Sequence, residues 1–346
     1  MILKTILLTG CAGFIGSNFL PYFLDKYEDY NLINLDLLTY AGNLDNLKEC
    51  ADNPRYTFIK GNICNRELVE FIFNKYDIQG VIHFAAESHV DNSIKNPGIF
   101  IETNVHGTFT LLDVAKNYWM DKPFLYKDKY SGCRFHHIST DEVYGTLNET
   151  DLFTEKTPYA PNSPYSASKA SSDMIVRSYQ ETYGLNTVIT NCSNNYGPKQ
   201  HDEKLIPTII RKAMSGKKIP IYGDGKNIRD WLYVLDHCKG IDLVFHTGQK
   251  ANVYNIGGKN ERTNLQIVET ICSILDEKIP SIKSYKELVT FVDDRAGHDR
   301  RYAIDATKLE NELGWKANED FDTGIIKTID WYIDKYTEKE KYAKDK

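Results

Sequence analysis

The sequence predicts an α/β protein, a Rossmann-type doubly wound parallel sheet joined to a smaller mixed α/β substrate-binding domain. Three observations predict it. Short apolar runs alternate with helix-like stretches through the first half of the chain. Glycines at 10, 13 and 16 follow the first of those runs, and Asp36 closes the second. Strands alternating with helices imply a parallel sheet covered on both faces.

Taken in order, residues 6–9 read as a buried strand, and the glycines lead into an apolar helix through Phe19 and Leu20. Further strands are expected at 31–36, 55–60, 80–85, 135–139 and 186–190. Between a helix near 104–118 and the strand at 135, the polar and aromatic stretch 120–134 reads as a surface insertion. After Asn191 the alternation weakens. Gly, Pro and Asn cluster at 194–198 and 220–227, which suggests loops facing a ligand crevice. Residues 253–256 read as a strand returning to the main sheet, and the charged run 337–346 as a fraying helix end. The expected division is a dinucleotide-binding domain over 1–193 with a return at 236–256, and a substrate domain over 194–235 and 257–346.

With 346 residues, 41% of them hydrophobic and 26% charged, the chain has ample material for such a core. A net charge of −6 without a polybasic block favours neither nucleic acid nor an anionic membrane surface. Seven widely spaced cysteines without a Cys-x-x-Cys pair suggest a reduced, cytoplasmic protein without a structural metal. The nine histidines do not change this, because His136 and His137 enter a strand, where neighbours point to opposite faces. No signal peptide and no membrane-spanning run of about 18 apolar residues is expected.

Gly10, Gly13 and Gly16 form a turn in which side chains would block a pyrophosphate from backbone N–H groups, at a helix N-terminus that favours negative charge. Asp36, ending the next strand, would accept hydrogen bonds from a ribose diol and repel a 2′-phosphate, so NAD is expected rather than NADP. The competing reading is a simple tight turn. Glycines, strand, helix and acid coincide against it.

Tyr165 and Lys169 share one face of a helix that Ser163 and Pro164 would start. A free phenol, with a pKa of about 10, is a poor base at neutral pH, and an adjacent ammonium stabilises its anion. Thr140, Asp141 and Glu142 follow strand 135–139 at its carboxyl end, the edge that borders the ligand crevice in a parallel sheet. A Thr/Asp helix cap is the plain alternative. A base for oxidising a sugar alcohol beside two carboxylates suited to eliminating water suggests a nucleotide-sugar dehydratase.

Wider motifs agree. They are Thr-Gly-Cys-Ala-Gly-Phe-Ile-Gly (9–16), Leu-Thr-Tyr-Ala-Gly-Asn (38–43), Ala-Ala-Glu-Ser-His-Val-Asp (85–91) and Ser-Thr-Asp-Glu-Val-Tyr-Gly (139–145). Tyr-Ser-Ala-Ser-Lys (165–169), Asn-Cys-Ser-Asn-Asn-Tyr-Gly-Pro (191–198), Arg-Asp-Trp-Leu-Tyr-Val (229–234) and Gly-His-Asp-Arg-Arg-Tyr-Ala-Ile-Asp (297–305) complete them. On these the chain resembles the extended short-chain dehydrogenase/reductase family, and within it the nucleotide-sugar dehydratases, from Ile6 to about Trp331.

The resemblance implies that Tyr165 takes the C4 hydroxyl proton as hydride passes to NAD, with Lys169 tuning the phenol and Thr140 bonding the same oxygen. Glu142 would remove the C5 proton, Asp141 would protonate the departing C6 hydroxyl, and hydride would return to C6. It implies cofactor contacts for Phe14, Ile15, Asn62, Ile63, Ala85, Thr103 and Asn195. For substrate it implies Ser88, Asn194, Lys204, Arg229, Asn264, Arg295 and His298, with Tyr222 stacked on the pyrimidine. Arg229 and Arg295 suit a diphosphate, since a guanidinium offers paired donors.

The implied substrate is dTDP-glucose, serving deoxysugar (rhamnose-type) biosynthesis, and the implied assembly is a homodimer through helices near 104–118 and 165–183. UDP-glucose or another nucleotide hexose is the alternative, because one methyl is worth only about 1–3 kcal/mol of discrimination. An epimerase, a decarboxylase or a non-catalytic NAD-binding module fits the Asp141–Glu142 pair less well. The chain departs from the family pattern at Asn62, at Leu37 and over 199–202.

Overall fold

The structure is a computed structural model that describes residues 3–344, with side chains described for 3–338. The first strands are β1 (Lys4–Thr9), β2 (Tyr30–Asp36), β3 (Tyr56–Lys60) and β4 (Ile78–His83). A short hairpin of β5 (Met120–Lys122) and β6 (Leu125–Tyr126) precedes β7 (Arg134–Thr140) and β8 (Thr187–Cys192). Then come β9 (Asn194–Tyr196), β10 (Ile219–Tyr222), β11 (Ile228–Tyr233), β12 (Val253–Ile256), β13 (Glu261–Thr263) and β14 (Val289–Val292).

β1 to β4, β7, β8 and β12 form one seven-stranded sheet in the order β12-β8-β7-β4-β1-β2-β3. Every neighbouring pair is parallel. Such strands are buried on both faces, and the near-continuous apolar run of β1 reads that way. One face packs Phe19, Phe23, Ile241 and Val244 from helices Phe14–Lys26 and Val234–Thr247. The other packs Val69, Ile72, Leu111, Leu112, Trp119 and Val176 from helices Arg66–Tyr76, Gly107–Trp119 and Pro164–Tyr183. Each such side chain contributes about 1.5–3 kcal/mol by leaving water. Strand order reverses between β1 and β4, and open α/β sheets bind ligands in the crevice beyond the strand ends at that point. Register sets those ends level: Thr9 pairs with Leu35 and with His83, and Thr140 with Cys192.

A third core joins Tyr196, Ile206, Trp231, Ile271, Phe321 and Tyr332 beneath helices Leu205–Met214, Asn264–Lys278 and Phe321–Lys344. The carboxyl-terminal part does not stay on that side. Ala306, Leu309 and Trp315 bury into the first core, and Trp315 Nε1 donates to the Asp236 carbonyl at 3.1 Å.

Several expectations are corrected. Residues 194–196 and 220–222 lie in strands β9 and β10 rather than in loops. β10 buries Ile219 and Ile221 and pairs only with β14, and an edge strand tolerates Pro220. The stretch 120–134 is more than a surface insertion: Tyr130 and Cys133 are buried, and the Tyr130 hydroxyl donates to Asp77 at 2.7 Å. The helix expected near 104–118 starts as a π-turn, Ile101–His106, continuing into Gly107–Trp119. In the run 337–346 the helix continues to Lys344, and residues 345–346 lie outside the described residues. The return of 253–256 to the main sheet is as expected, parallel to β8. Among the described residues no helix is long and apolar enough to cross a membrane.

Candidate active site

One cleft gathers the carboxyl ends of β1, β2, β4, β7 and β8. At its floor Gly10 takes φ +75°, and a Cβ there would stand 2.6 Å from the Ala85 Cα. A Cβ on Gly16 would stand 2.5 Å from the Cys11 Cα. The turn is therefore pressed against its neighbours, leaving open only the face towards the cleft. Asp36 is fixed beside it: one carboxylate oxygen accepts from Ala12 N at 2.9 Å, the other from Leu38 N at 2.8 Å. Phe14, Ile15, Asn62, Ile63, Ala85, Thr103 and Asn195 line the same cleft. Asn62 Oδ1 already accepts from Cys64 N at 2.9 Å, which leaves its second lone pair for a ligand. The glycine cradle and the ribose-side carboxylate fit a dinucleotide such as NAD.

Tyr165 and Lys169 enter from helix Pro164–Tyr183. Ser163 and Ser166 form its capping box, Pro164 holds the first turn, and Gly184 ends it in the left-handed region. Lys169 Nζ donates to the Ile138 carbonyl at 2.8 Å, and burial pulls its pKa down to about 8. Burial, then the charge of Glu142, pushes the Tyr165 phenol well up, and a hydrogen bond with Thr140 pulls it back.

Thr140 ends β7, and Asp141 and Glu142 form the 3₁₀ turn that follows. The plain cap reading holds in part, since Thr140 Oγ1 accepts from Glu142 N at 3.3 Å. The carboxylates nonetheless face the cleft. Asp141 is pushed well above the carboxylate range by burial, then by the charges of Glu142 and Asp230, and its Oδ2 is buried without a hydrogen-bond partner. Glu142 is raised by burial but opposed by Arg295, Arg229 and Lys204. Two adjacent carboxyls whose surroundings push them apart are suited to opposite roles, the first as acid and the second as base.

Ser88, Asn194 and Lys204 also line the cleft. Lys204 Nζ donates to the Ser88 carbonyl at 2.9 Å. Tyr222, Arg229, Asn264, Arg295 and His298 do not line it. Most of them meet around Asp91: Arg295 Nη1 lies 3.5 Å from Asp91 Oδ1, and the Tyr222 hydroxyl 3.4 Å from Oδ2. His298 stands edge-on to Tyr222 at 6.5 Å. Arg229 is buried, lies 4.2 Å from the Tyr302 ring centroid, and donates to the carbonyls of Ile228 and Asp299 at 2.8 and 2.9 Å. Its guanidinium is thus largely engaged by backbone. Asn264 starts a helix, its N–H donating to Asn227 O at 3.1 Å.

Sequence reasoning missed a strap over 198–202. Asn18 Nδ2 donates to the Pro198 carbonyl at 3.0 Å, and Lys199 Nζ to the Ser17 carbonyl at 3.1 Å and Glu49 at 2.8 Å. His201 stands edge-on to Tyr40, 5.5 Å away. The far side is held by the Tyr332 hydroxyl, which donates to the Gln200 carbonyl at 2.6 Å. Gln200 and His201 line the cleft. The only signal for this was the unusual composition of 199–202. Asp91 was also missed, although it ends the quoted motif 85–91.

The profile of the family described as GDP-mannose 4,6 dehydratase matches residues 7–328. A dTDP-glucose 4,6-dehydratase of Neisseria gonorrhoeae is 52% identical over 342 residues, covering 97% of this chain and 98% of its own. The crystal structure of dTDP-glucose 4,6-dehydratase from Bacillus anthracis in complex with NAD superposes with a TM-score of 0.85 at 49% identity, covering 96% of this chain and 98% of that one. A dTDP-glucose 4,6-dehydratase from Streptomyces venezuelae, with NAD and TYD bound, gives a TM-score of 0.87 at 42% identity, covering 96% and 98%.

Proposed function

The chain belongs to the dTDP-glucose 4,6-dehydratases, within the family described as GDP-mannose 4,6 dehydratase, and from this we propose that it converts dTDP-glucose to dTDP-4-keto-6-deoxyglucose with bound NAD. The observation that carries the reading is Asp141 and Glu142 at the end of β7, beside Tyr165 and Lys169 in one cleft. An epimerase or a decarboxylase has no use for that acid–base pair.

Gly10, Gly13, Phe14, Ile15 and Gly16 hold the pyrophosphate of NAD, Asp36 its ribose, and Asn62 and Ile63 its adenine, with Ala85, Thr103 and Asn195 along its length. A bound NAD would supply the oxidant for C4 and the hydride later needed at C6, and its positive nicotinamide would favour the phenolate. Tyr165 takes the C4 hydroxyl proton, aided by Lys169, and Thr140 orients the same oxygen. The resulting ketone acidifies C5–H, and Glu142 removes that proton. Asp141, whose carboxyl burial and the charge of Glu142 push well up, delivers its proton to the departing C6 oxygen, so the leaving group is water. Ser88, Asn194 and Lys204 hold the sugar side. Arg229 and Arg295 are the proposed partners of the diphosphate and Tyr222 that of the pyrimidine, with Asn264 and His298 completing the nucleotide side.

The NAD-binding part takes in 1–193 with the return 236–256 and the substrate-binding part 194–235 and 257–346, although Ala306, Leu309 and Trp315 of the latter pack into the first core. A homodimer is the proposed assembly, since Ile101, Phe109 and Met174 stand exposed on the two helices expected to pair. Cytoplasmic location follows from the nucleotide-sugar substrate and the seven free cysteines.

The deciding experiment incubates purified protein with equimolar dTDP-glucose and UDP-glucose and follows both by mass spectrometry. Loss of one water from the dTDP sugar alone supports the reading. Equal loss from both withdraws the thymidine preference, and loss from neither withdraws the reaction.

A further inference from the structure

Helix Pro164–Tyr183 carries a third ionisable group on the face of the catalytic pair. Tyr165, Lys169 and Asp173 recur at four-residue intervals, so all three project from one side. Asp173 is buried, deeper than the cleft lining. Its Oδ2 accepts from the Ser139 hydroxyl at 2.8 Å and the Tyr159 hydroxyl at 3.0 Å. Between Asp173 and Lys169 stands the ring of His137, wholly enclosed. His137 Nε2 is 3.2 Å from Lys169 Nζ and 3.2 Å from Asp173 Oδ1.

One nitrogen thus faces an ammonium donor and a carboxylate acceptor together. A bare Nε2 accepts from Lys169 but opposes an ionised Asp173. A protonated Nε2 attracts the ionised Asp173 across 3.2 Å but opposes a charged Lys169. The three groups therefore share their protons, and the state of one sets the others. A purely structural pair would bond directly and leave nothing unsatisfied. Here His137 Nδ1 and Asp173 Oδ1 have no hydrogen-bond partner, although both are buried.

We infer that Asp173, one helical turn beyond Lys169 and facing it across the His137 ring, is a positioning residue that keeps Lys169 charged and so sets the pH window in which Tyr165 serves as base. The inference rests on the catalytic reading of Tyr165 and Lys169 above. The charges around the group are few. On Lys169 bear Asp173 from its own helix and Cys192 from β8, and Lys169 in turn acts on His137 in β7 and His83 in β4. On Asp173 bear Lys169 and the Ser139 and Tyr159 hydroxyls, and Asp173 acts in turn on Tyr144. Burial lowers Lys169 to about 8 while Asp173 holds it up, and burial raises Asp173 to about 6. Lys169 is therefore charged at neutral pH and loses its proton as pH rises through about 8.

The test titrates carbon-labelled lysine by NMR in the NAD-loaded protein, with Lys169→Arg assigning the signal. In Asp173→Asn the Lys169 midpoint falls by at least about one pH unit, since one opposite charge is removed. The alkaline limb of the kcat profile moves down with it. An unmoved midpoint overturns the inference, as does a fall in kcat by the same factor at every pH. Should Asp173→Asn fail to fold, Asp173→Ser, which keeps a hydroxyl beside Ser139 and Tyr159 and removes the charge, is titrated in its place; an unmoved Lys169 midpoint in that variant overturns the inference. The lysine titration needs no substrate, so failure of the dehydratase reading appears separately, as absence of product from the unaltered protein.

Discussion

Glu142 stands next to Asp141 at the end of β7, and after burial its charge is the largest influence raising the Asp141 carboxyl. The base of the site thereby favours the protonated form of the acid. A carboxylate at position 142 has two consequences, one for C5 and one for the leaving oxygen.

Replacing Glu142 with Gln removes both. Water loss falls by at least about 100-fold, the range of a lost general base. Oxidation at C4 does not need Glu142, so nicotinamide absorbance on mixing with dTDP-glucose still reports partial reduction. Water loss at near-normal rate in this variant would reassign the C5 base.

Asp141→Asn lowers kcat by about 100-fold or more on dTDP-glucose, because hydroxide is a poor leaving group. A substrate carrying fluorine at C6 needs no proton to lose its leaving group. The variant's deficit shrinks on that substrate, as fluoride release would read. An equal deficit on both sugars assigns Asp141 another task.

Gly10→Ala meets the Ala85 backbone at 2.6 Å in a left-handed conformation, and no flexible side chain can give way. It destabilises the fold by more than about 1 kcal/mol. Denaturant titration measures that loss, and the protein purifies with less NAD than the parent.

Asp242, buried under the first helix, accepts from Lys26 at 2.6 Å and from Tyr22 at 2.8 Å, and lies 2.9 Å from His246 Nδ1. Burial raises its carboxyl, but His246, Lys26 and Tyr22 outweigh burial and hold it below the ordinary value. A lowered pKa gives stability that is complete above the unfolded value near 4 and is lost as pH falls through the folded one. Asp242→Asn therefore costs about 1–2 kcal/mol at neutral pH, since the Lys26 left behind is half-exposed and can turn to water. The gap to the parent narrows in acid, and a gap that persists at low pH would assign the loss to packing.

What the sequence made legible was local. Gly10, Gly13 and Gly16 sit within one turn, Tyr165 and Lys169 within one helical turn, and Asp141 beside Glu142, so spacing alone juxtaposes them. β10 was misread because Pro220 and the Gly and Asn residues at 223, 225 and 227 resemble a loop, while the burial of Ile219 and Ile221 depends on β14, far along the chain. That the Arg229 guanidinium also bonds the backbone at 299–300 was not legible, because those carbonyls come from a distant segment. Asp173 was invisible as a partner of Lys169 because His137, on another element, makes the connection.

The strap over 198–202 is fastened on its far side by Tyr332, from helix Phe321–Lys344. That helix belongs to the third core, whereas the glycine turn opens the first, so one hydroxyl couples the two. A loosened helix would leave the nucleotide crevice open on one side. Retention of the dinucleotide is thereby tied to the docking of a helix that carries none of the catalytic side chains, and Tyr332→Phe would weaken the grip on cofactor with all of them still in place.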